Sequence, residues 1–296
     1  MSQLRDKNQK SRAAMNSKIS IVGAHGFIGH NLSKKLRELN YKLELFTTSN
    51  PIMIDDELSP SAVNSNIIVW CASKVNPISA DQNPELAADE LAYWQKFLEI
   101  ISRSDTENLR IFFLSSAGCT YTGNAALFSE LDSAEGTNLY GKHKLKMESE
   151  LSQSEISSII LRVANVYGPN QPFGRGQGVI AEWVKSISRK EPITIYGDVN
   201  SFRDYLFIED LLELIVLLIG SNVENQKFNV GSGQATSLQE LKDLFAELTQ
   251  MEISSAEKIT RSFDRQGYVL DISKVTQTVG WKPRYDLKEG LQLCLK

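Results

Sequence analysis

Three glycines, Gly23, Gly26 and Gly29, stand three residues apart between a short β-rich run and an amphipathic helix, and this junction constrains the fold more than any other feature. The run is 18–22, Lys-Ile-Ser-Ile-Val. The helix after it places Ile28, Leu32, Leu36 and Leu39 at helical spacing. Glycine lets the backbone turn sharply there and lets a pyrophosphate approach it closely. The helix N-terminus then offers unpaired N–H groups and the positive end of its dipole to the phosphates. Gly23, His25, Gly26, Phe27, Ile28 and Gly29 therefore read as a dinucleotide-binding turn, with Phe27 and Ile28 packed inward behind it. A tight turn with no ligand is the plainer reading of the same glycines. The placement of the turn at the head of an alternating pattern favours the functional one.

That pattern continues. Residues 43–46, 67–71, 110–114 and 158–161 read as strands, the second wholly apolar and the third apolar after Arg110, as expected of strands covered on both faces. Residues 86–102 and 140–151 read as helices. Strand alternating with helix predicts an α/β fold, a doubly wound parallel sheet over residues 18–165. Residues 166–296 are less regular: a Gly, Pro and Asn-rich loop at 168–178, helices at 179–188, 209–219 and 238–248, and short strands at 192–196 and 227–230. Ser237 and Glu240 have capping-box spacing. This part is expected to be a smaller C-terminal α/β substrate-binding region packed on the first across a cleft, with 207–231 returning to the dinucleotide-binding domain. Residues 1–17 are polar, without the apolar core of a secretory signal, and are expected to be a disordered tail.

Composition excludes several classes. The chain has 296 residues, 42% hydrophobic and 23% charged, enough to bury a large core. A net charge of -4 disfavours phosphate-backbone binding, so no nucleic-acid partner is expected. The longest candidate, 211–219, is interrupted by Glu213 and far short of the roughly 20 residues that span a bilayer, so no membrane association is expected. Cys71, Cys119 and Cys294 are widely spaced, and with His25, His30 and His143 form no ligand pattern. No metal is expected, and a reducing, cytoplasmic compartment is.

Tyr140 and Lys144 lie four apart in a helical stretch and so stand one turn apart on one face. A free tyrosine ionises near pH ~10. An adjacent ammonium favours the phenolate and fits Tyr140 to exchange a proton with a substrate hydroxyl. Most pairs at this spacing are surface decoration. This one comes after a strand ending in Ser115-Ser116, in a chain that already carries a dinucleotide turn. The tip of the second strand runs into Thr47-Thr48-Ser49-Asn50 without the carboxylate that would bind an NAD ribose. The cofactor is therefore NAD or NADP, with a slight lean to NADP.

Taken together, these segments resemble the extended short-chain dehydrogenases, the NAD-dependent epimerase/dehydratase family, over nearly the whole chain. The resemblance rests on the glycine turn, Ser115 to Tyr121, Tyr140 with Lys144, and Leu161 to Pro169. Tyr196-Gly197-Asp198, Arg203-Asp204-Tyr205, Asn229 to Gly233, and Asp271 to Lys274 with Gly280 to Pro283 extend it. It implies a Rossmann fold, a nucleotide-diphosphate-sugar substrate, polysaccharide or deoxy-sugar biosynthesis, and a homodimer. It also implies cofactor contacts from Thr47, Ala72, Tyr140 and Lys144, and substrate contacts from Asn165, Arg203, Arg261 and Asp264.

There are departures. Ala117 holds the place of the family's usual substrate-orienting Ser or Thr, and Ser116 is the favoured replacement over Cys119 and Thr120. Residues 47–67 are short for a strand–helix unit, so the cofactor edge of the sheet is expected to be trimmed. Three functions are compatible with these residues: a nucleotide-sugar 4-epimerase with Tyr140 as acid and base; an NADPH-dependent reductase of a nucleotide-linked 4-keto-6-deoxy sugar; or a non-catalytic dinucleotide-binding regulator, for which a proton donor would be superfluous. A water-eliminating lyase is disfavoured, because Ala117-Gly118 supplies no additional acid.

Overall fold

The computed structural model describes residues 17–104, 109–123, 127–174, 178–258 and 267–296. The expectation for the first 16 residues, and those for Arg261 and Asp264, fall outside these. The chain divides into two compact units. One comprises the residues up to Ser115 with Leu139–Arg162 and Leu212–Phe228; the other comprises Ser116–Asn138, Val163–Leu211 and Asn229–Lys296.

The first unit is built on a six-stranded sheet. In chain order its strands are β1 (Lys18–Val22), β2 (Lys42–Phe46), β3 (Ile67–Trp70), β4 (Arg110–Ser116), β5 (Ser157–Val163) and β6 (Gln226–Val230). Their spatial order is β6-β5-β4-β3-β1-β2. Strand β1 pairs in parallel with β2, from Lys18 opposite Lys42 to Val22 opposite Phe46, and with β3 on its other side. Strand β2 is an edge. Beyond it the chain makes only a small antiparallel hairpin, Met53–Ile54 with Glu57–Leu58, in place of a further strand and helix. The cofactor edge is trimmed, as the short 47–67 segment predicts.

Among the described residues, four helices lie wholly within this unit: α1 (Phe27–Glu38), α2 (Pro77–Gln82), α3 (Pro84–Ser102) and α4 (Leu139–Gln153). Alternate strand residues Val22, Phe46, Ile68, Trp70, Ile111, Phe113 and Ile160 form one apolar layer with Trp94, Phe97 and Ile101 of α3 and Met147 and Leu151 of α4. The period of two along the strands meets the period near four along the helices. Trp94 anchors the layer. It lies edge-on to Trp70 at 4.7 Å, and its indole N–H reaches the Met147 carbonyl at 3.1 Å. Truncating so large a buried ring costs about 3–5 kcal/mol. At the start of β4, Arg110 donates to the carbonyls of Ile219 and Ser221, both at 2.8 Å, closing the open end of the helix Ile208–Ile219.

The second unit is held by short strand pairs: Asn165–Tyr167 with Tyr205–Phe207, Ile193–Tyr196 with Ser255–Lys258, Leu127–Phe128 with Val269–Leu270, and Phe202–Arg203 with Thr236–Ser237. Ala117, Tyr121, Phe128, Ala164, Tyr268 and Leu270 form a small core there. The capping box expected at Ser237 and Glu240 is present. Among the described residues, no helix is long and apolar enough to cross a membrane.

Candidate active site

The glycine turn uses each glycine for a different steric reason. Gly23 has φ of +87°, and a Cβ there would meet the Ala72 backbone nitrogen at 2.7 Å. A Cβ on Gly29 would run into the Gly23 carbonyl oxygen, so this glycine lets α1 pack against the turn. Gly26 has only that same carbonyl near its Cβ position, at 3.2 Å, and keeps the outer rim of the turn low. Gly23 and Ala24 both donate to the Phe46 carbonyl, at 2.9 and 3.1 Å, which ties the turn to the end of β2. Helix α1 has Gly26 at its N-cap, so no side-chain cap, and no acid in its first turn. Its leading N–H groups therefore have no side-chain cap and no competing acid, the arrangement that suits a pyrophosphate. The residues present fit a dinucleotide. His25 is exposed, whereas Phe27 and Ile28 are half-buried and so pack inward less fully than the sequence suggests.

At the tip of β2, Thr47 and Asn50 close a tight turn. The Thr47 N–H donates to the Asn50 carbonyl at 2.9 Å, and Asn50 Nδ2 reaches the Leu45 carbonyl at 2.9 Å. Ala72 follows β3 and packs under Gly23. The structure therefore gathers Gly23, Ala72 and the β2 tip at one end of the sheet.

Tyr140 and Lys144 are both on α4. The Lys144 ammonium sits 5.8 Å from the centre of the Tyr140 ring and 5.6 Å from that of Phe113. Lys144 is almost wholly buried. Burial pushes its ammonium down from the ordinary lysine range, and Glu90 opposes that shift. Glu90, on α3, lies 3.7 Å from Lys144 Nζ and accepts from Ser73 Oγ at 2.8 Å and the Lys74 N–H at 2.5 Å. His143 Nε2 is 3.1 Å away, and a carboxylate partner places the ring hydrogen on that nitrogen. Burial alone would raise the Glu90 carboxyl. The His143, Lys144, Lys74 and Ser73 partners outweigh it and hold the group at about 2.

One turn beyond Lys144, Glu148 is buried. It accepts from Arg162 Nε and Nη2 at 3.1 and 2.8 Å and from Ser115 Oγ at 2.6 Å, and pairs with Lys227 at 3.1 Å. Here too the donors overcome burial and hold the carboxyl below its usual range.

Ser115 is thereby committed to Glu148. In the second unit the Thr120 hydroxyl is committed to the Ser116 carbonyl, and Cys119 Sγ accepts from Asn138 at 3.2 Å. Ser116 itself is half-buried at the end of β4. Asn165 Nδ2 donates to the Tyr268 hydroxyl at 3.0 Å. Tyr205 lies opposite Asn165, and Arg203, two residues before it, donates to the Phe202 carbonyl at 2.8 Å. Between them Asp204 is fully buried and gathers the N–H groups of Ser232, Gly233 and Leu270. A Cβ on Gly231 would strike its carboxylate, so the Asn-Val-Gly-Ser-Gly segment is shaped around this acid.

Glu90, Glu148, Arg162 and Tyr268 are absent from the sequence-derived site. Helical spacing already aligns Tyr140, Lys144 and Glu148 at four and eight residues, so Glu148 was detectable. Glu90 carries no such signal, because 53 residues separate it from His143.

These elements match known proteins. The model of the family "NAD dependent epimerase/dehydratase family" matches residues 19–231. A putative UDP-glucose 4-epimerase of Methanocaldococcus jannaschii is 29% identical, over 93% of this chain and 96% of that protein. A dTDP-4-dehydro-6-deoxyglucose reductase of Escherichia coli is 27% identical, over 94% and 96%. The crystal structure of UDP-glucose 4-epimerase from Thermotoga maritima with UDP-glucose superposes with a TM-score of 0.83 at 25% identity, covering 94% of this chain and 97% of that one. With a family match over most of the length and the glycine turn and Tyr–Lys pair in place, the chain belongs to the NAD-dependent epimerase/dehydratase family.

Proposed function

We propose that this protein is a nucleotide-sugar epimerase that works at a sugar C4 hydroxyl. The observation that carries the reading is the pairing of Tyr140 with a buried Lys144 on α4, in the same unit as a glycine turn shaped for a pyrophosphate. Gly23, Gly26, Gly29, Thr47 and Ala72 would hold the dinucleotide, with His25, Phe27 and Ile28 at its rim. The bound nicotinamide supplies a reversible hydride acceptor. Lys144 stabilises the phenolate of Tyr140, which takes the proton from the C4 hydroxyl and later returns it. Ser116 donates to the reacting oxygen, a role supported by the commitment of Ser115, Thr120 and Cys119 elsewhere. Asn165, Arg203, Arg261 and Asp264 are assigned to the nucleotide diphosphate: arginine offers forked donors to phosphate oxygens and a carboxylate accepts from ribose hydroxyls. The similar protein from Thermotoga maritima was crystallised with UDP-glucose, which supports a UDP-sugar as the first candidate.

A reductase of a nucleotide-linked 4-keto-6-deoxy sugar is the second reading. The β2 tip, Thr47 to Asn50, carries hydroxyls and an amide in place of an acid, which suits NADP. The similarity to the Escherichia coli reductase also extends over nearly the whole chain. The two readings separate in one experiment. The purified protein is incubated with UDP-hexoses and, separately, with a nucleotide-linked 4-keto-6-deoxy sugar and NADPH. Interconversion of hexoses without net cofactor use supports the epimerase. Stoichiometric loss of NADPH supports the reductase, and the absence of both reactions refutes both readings. A cytoplasmic location and a homodimer belong to the same proposal, the latter tested by light scattering.

A further inference from the structure

The acid–base pair has a third member that spacing along α4 does not reveal. Lys144 faces two carboxylates. Glu148 is already matched by two cations, Arg162 at 2.8 Å and Lys227 at 3.1 Å, and by the Ser115 hydroxyl. It therefore supports the Lys144 ammonium less than Glu90 does. Glu90 has none of these cations. Its charged or protonatable neighbours are Lys144 at 3.7 Å and His143 at 3.1 Å, and its remaining donors are the Ser73 hydroxyl and the Lys74 N–H. Its side chain is about nine-tenths buried and that of Lys144 more so, which makes each costly to leave unpaired.

Glu90 also joins three pieces of the first unit: α3, which carries it; the loop after β3, through Ser73 and Lys74; and α4, through His143 and Lys144. That loop contains Ala72, which packs under Gly23. One carboxylate is thus in register with both the dinucleotide turn and the acid–base helix.

We propose that Glu90 is the positioning residue and counter-ion of Lys144, holding the ammonium against the face of Tyr140 with its proton on. The proposal rests on the reading of Tyr140 and Lys144 as the acid–base pair. A neutral lysine would leave the phenol without its electrostatic partner. A lysine with a fixed counter-ion exerts a smaller but permanent field. The charged or ionisable groups around the pair are Tyr140, His143 and Glu148 on α4, and Arg162 on β5 and Lys227 on β6 behind Glu148; Lys74, in the loop after β3, contributes only its backbone N–H.

The test compares the full-length wild type with Glu90→Gln and Glu90→Asp. Lysine 13Cε resonances are followed by NMR against pH, and Lys144 is assigned by the resonance missing in Lys144→Met. In Glu90→Gln the Lys144 midpoint falls by at least about one pH unit, the scale of a close opposite charge. Glu90→Asp keeps the charge one methylene further away, so its midpoint falls less. The alkaline limb of kcat/KM moves to lower pH by the same amounts. An unchanged Lys144 midpoint in both variants, with only a lower melting temperature, would overturn the proposal and leave Glu90 a structural staple. Should Glu90→Gln not fold, a midpoint in Glu90→Asp equal to that of the wild type overturns it alone. The NMR titration needs no substrate. A shifted midpoint in a protein that turns over no sugar would refute the functional reading while leaving the pairing intact.

Discussion

The guanidinium of Arg162 on β5 grips the carboxylate of Glu148 on α4, with Nη2 at 2.8 Å from one oxygen and Nε at 3.1 Å from both. Both side chains are buried, so the pair fixes the helix that carries Tyr140 and Lys144 to the sheet beneath it. Arg162→Leu strips a buried carboxylate of its bidentate partner, and is expected to cost about 3–5 kcal/mol in urea unfolding. Arg162→Leu with Glu148→Leu removes the orphaned charge and recovers most of that loss. A single variant within about 1 kcal/mol of wild type would contradict the account.

Tyr140→Phe keeps the ring beside Lys144 and removes only the exchangeable proton. Turnover is expected to fall at least about a hundredfold, the lower range for a general acid–base, with the melting temperature unchanged. Activity near that of the wild type would remove Tyr140 from the chemistry.

Gly29→Ala places a methyl against the Gly23 carbonyl, and Gly23→Ala adds an unfavourable positive φ to a clash with Ala72. Each is expected to destabilise the first unit by about 1–3 kcal/mol and to abolish calorimetric binding of NAD and NADP. Gly26→Ala has more room and should retain the fold while weakening the dinucleotide. Equal cofactor affinity in all three would refute the phosphate turn.

Thr47→Asp installs at the β2 tip the carboxylate that this chain lacks. Wild type is expected to bind NADP at least as tightly as NAD. The variant should shift the affinity ratio toward NAD by about tenfold or more, near 1.4 kcal/mol, through repulsion of the 2′-phosphate. An unchanged ratio by calorimetry would place the adenosine ribose away from Thr47.

The Glu90 carboxyl, held at about 2 against an ordinary 4.5, makes stability depend on acid. A lowered folded value means the stabilisation is complete above about 4.5 and is lost as pH falls toward about 2. The difference in melting temperature between wild type and Glu90→Gln should therefore be largest near neutrality and shrink between pH 5 and 3. A difference constant over that range would contradict the assignment.

Much of this was legible along the chain because it is local. The glycine turn, the trimmed edge after Phe46, the capping box at Ser237 and the shared helical face of Tyr140 and Lys144 each depend on residues within a few turns of one another. Backbone sterics and the two periodicities of strand and helix suffice to place them. The degree of burial was harder: Phe27 and Ile28 are only half covered, since an amphipathic pattern gives a direction and not a depth.

What tertiary structure alone decided is which charges meet. Glu90 and Lys144 come together because α3 and α4 lie side by side over one apolar layer, and Arg162 reaches Glu148 because β5 runs beneath α4. Buried ions need partners whatever their separation along the chain. No spacing rule links residue 90 to residue 144, so the identity of those partners is set by packing.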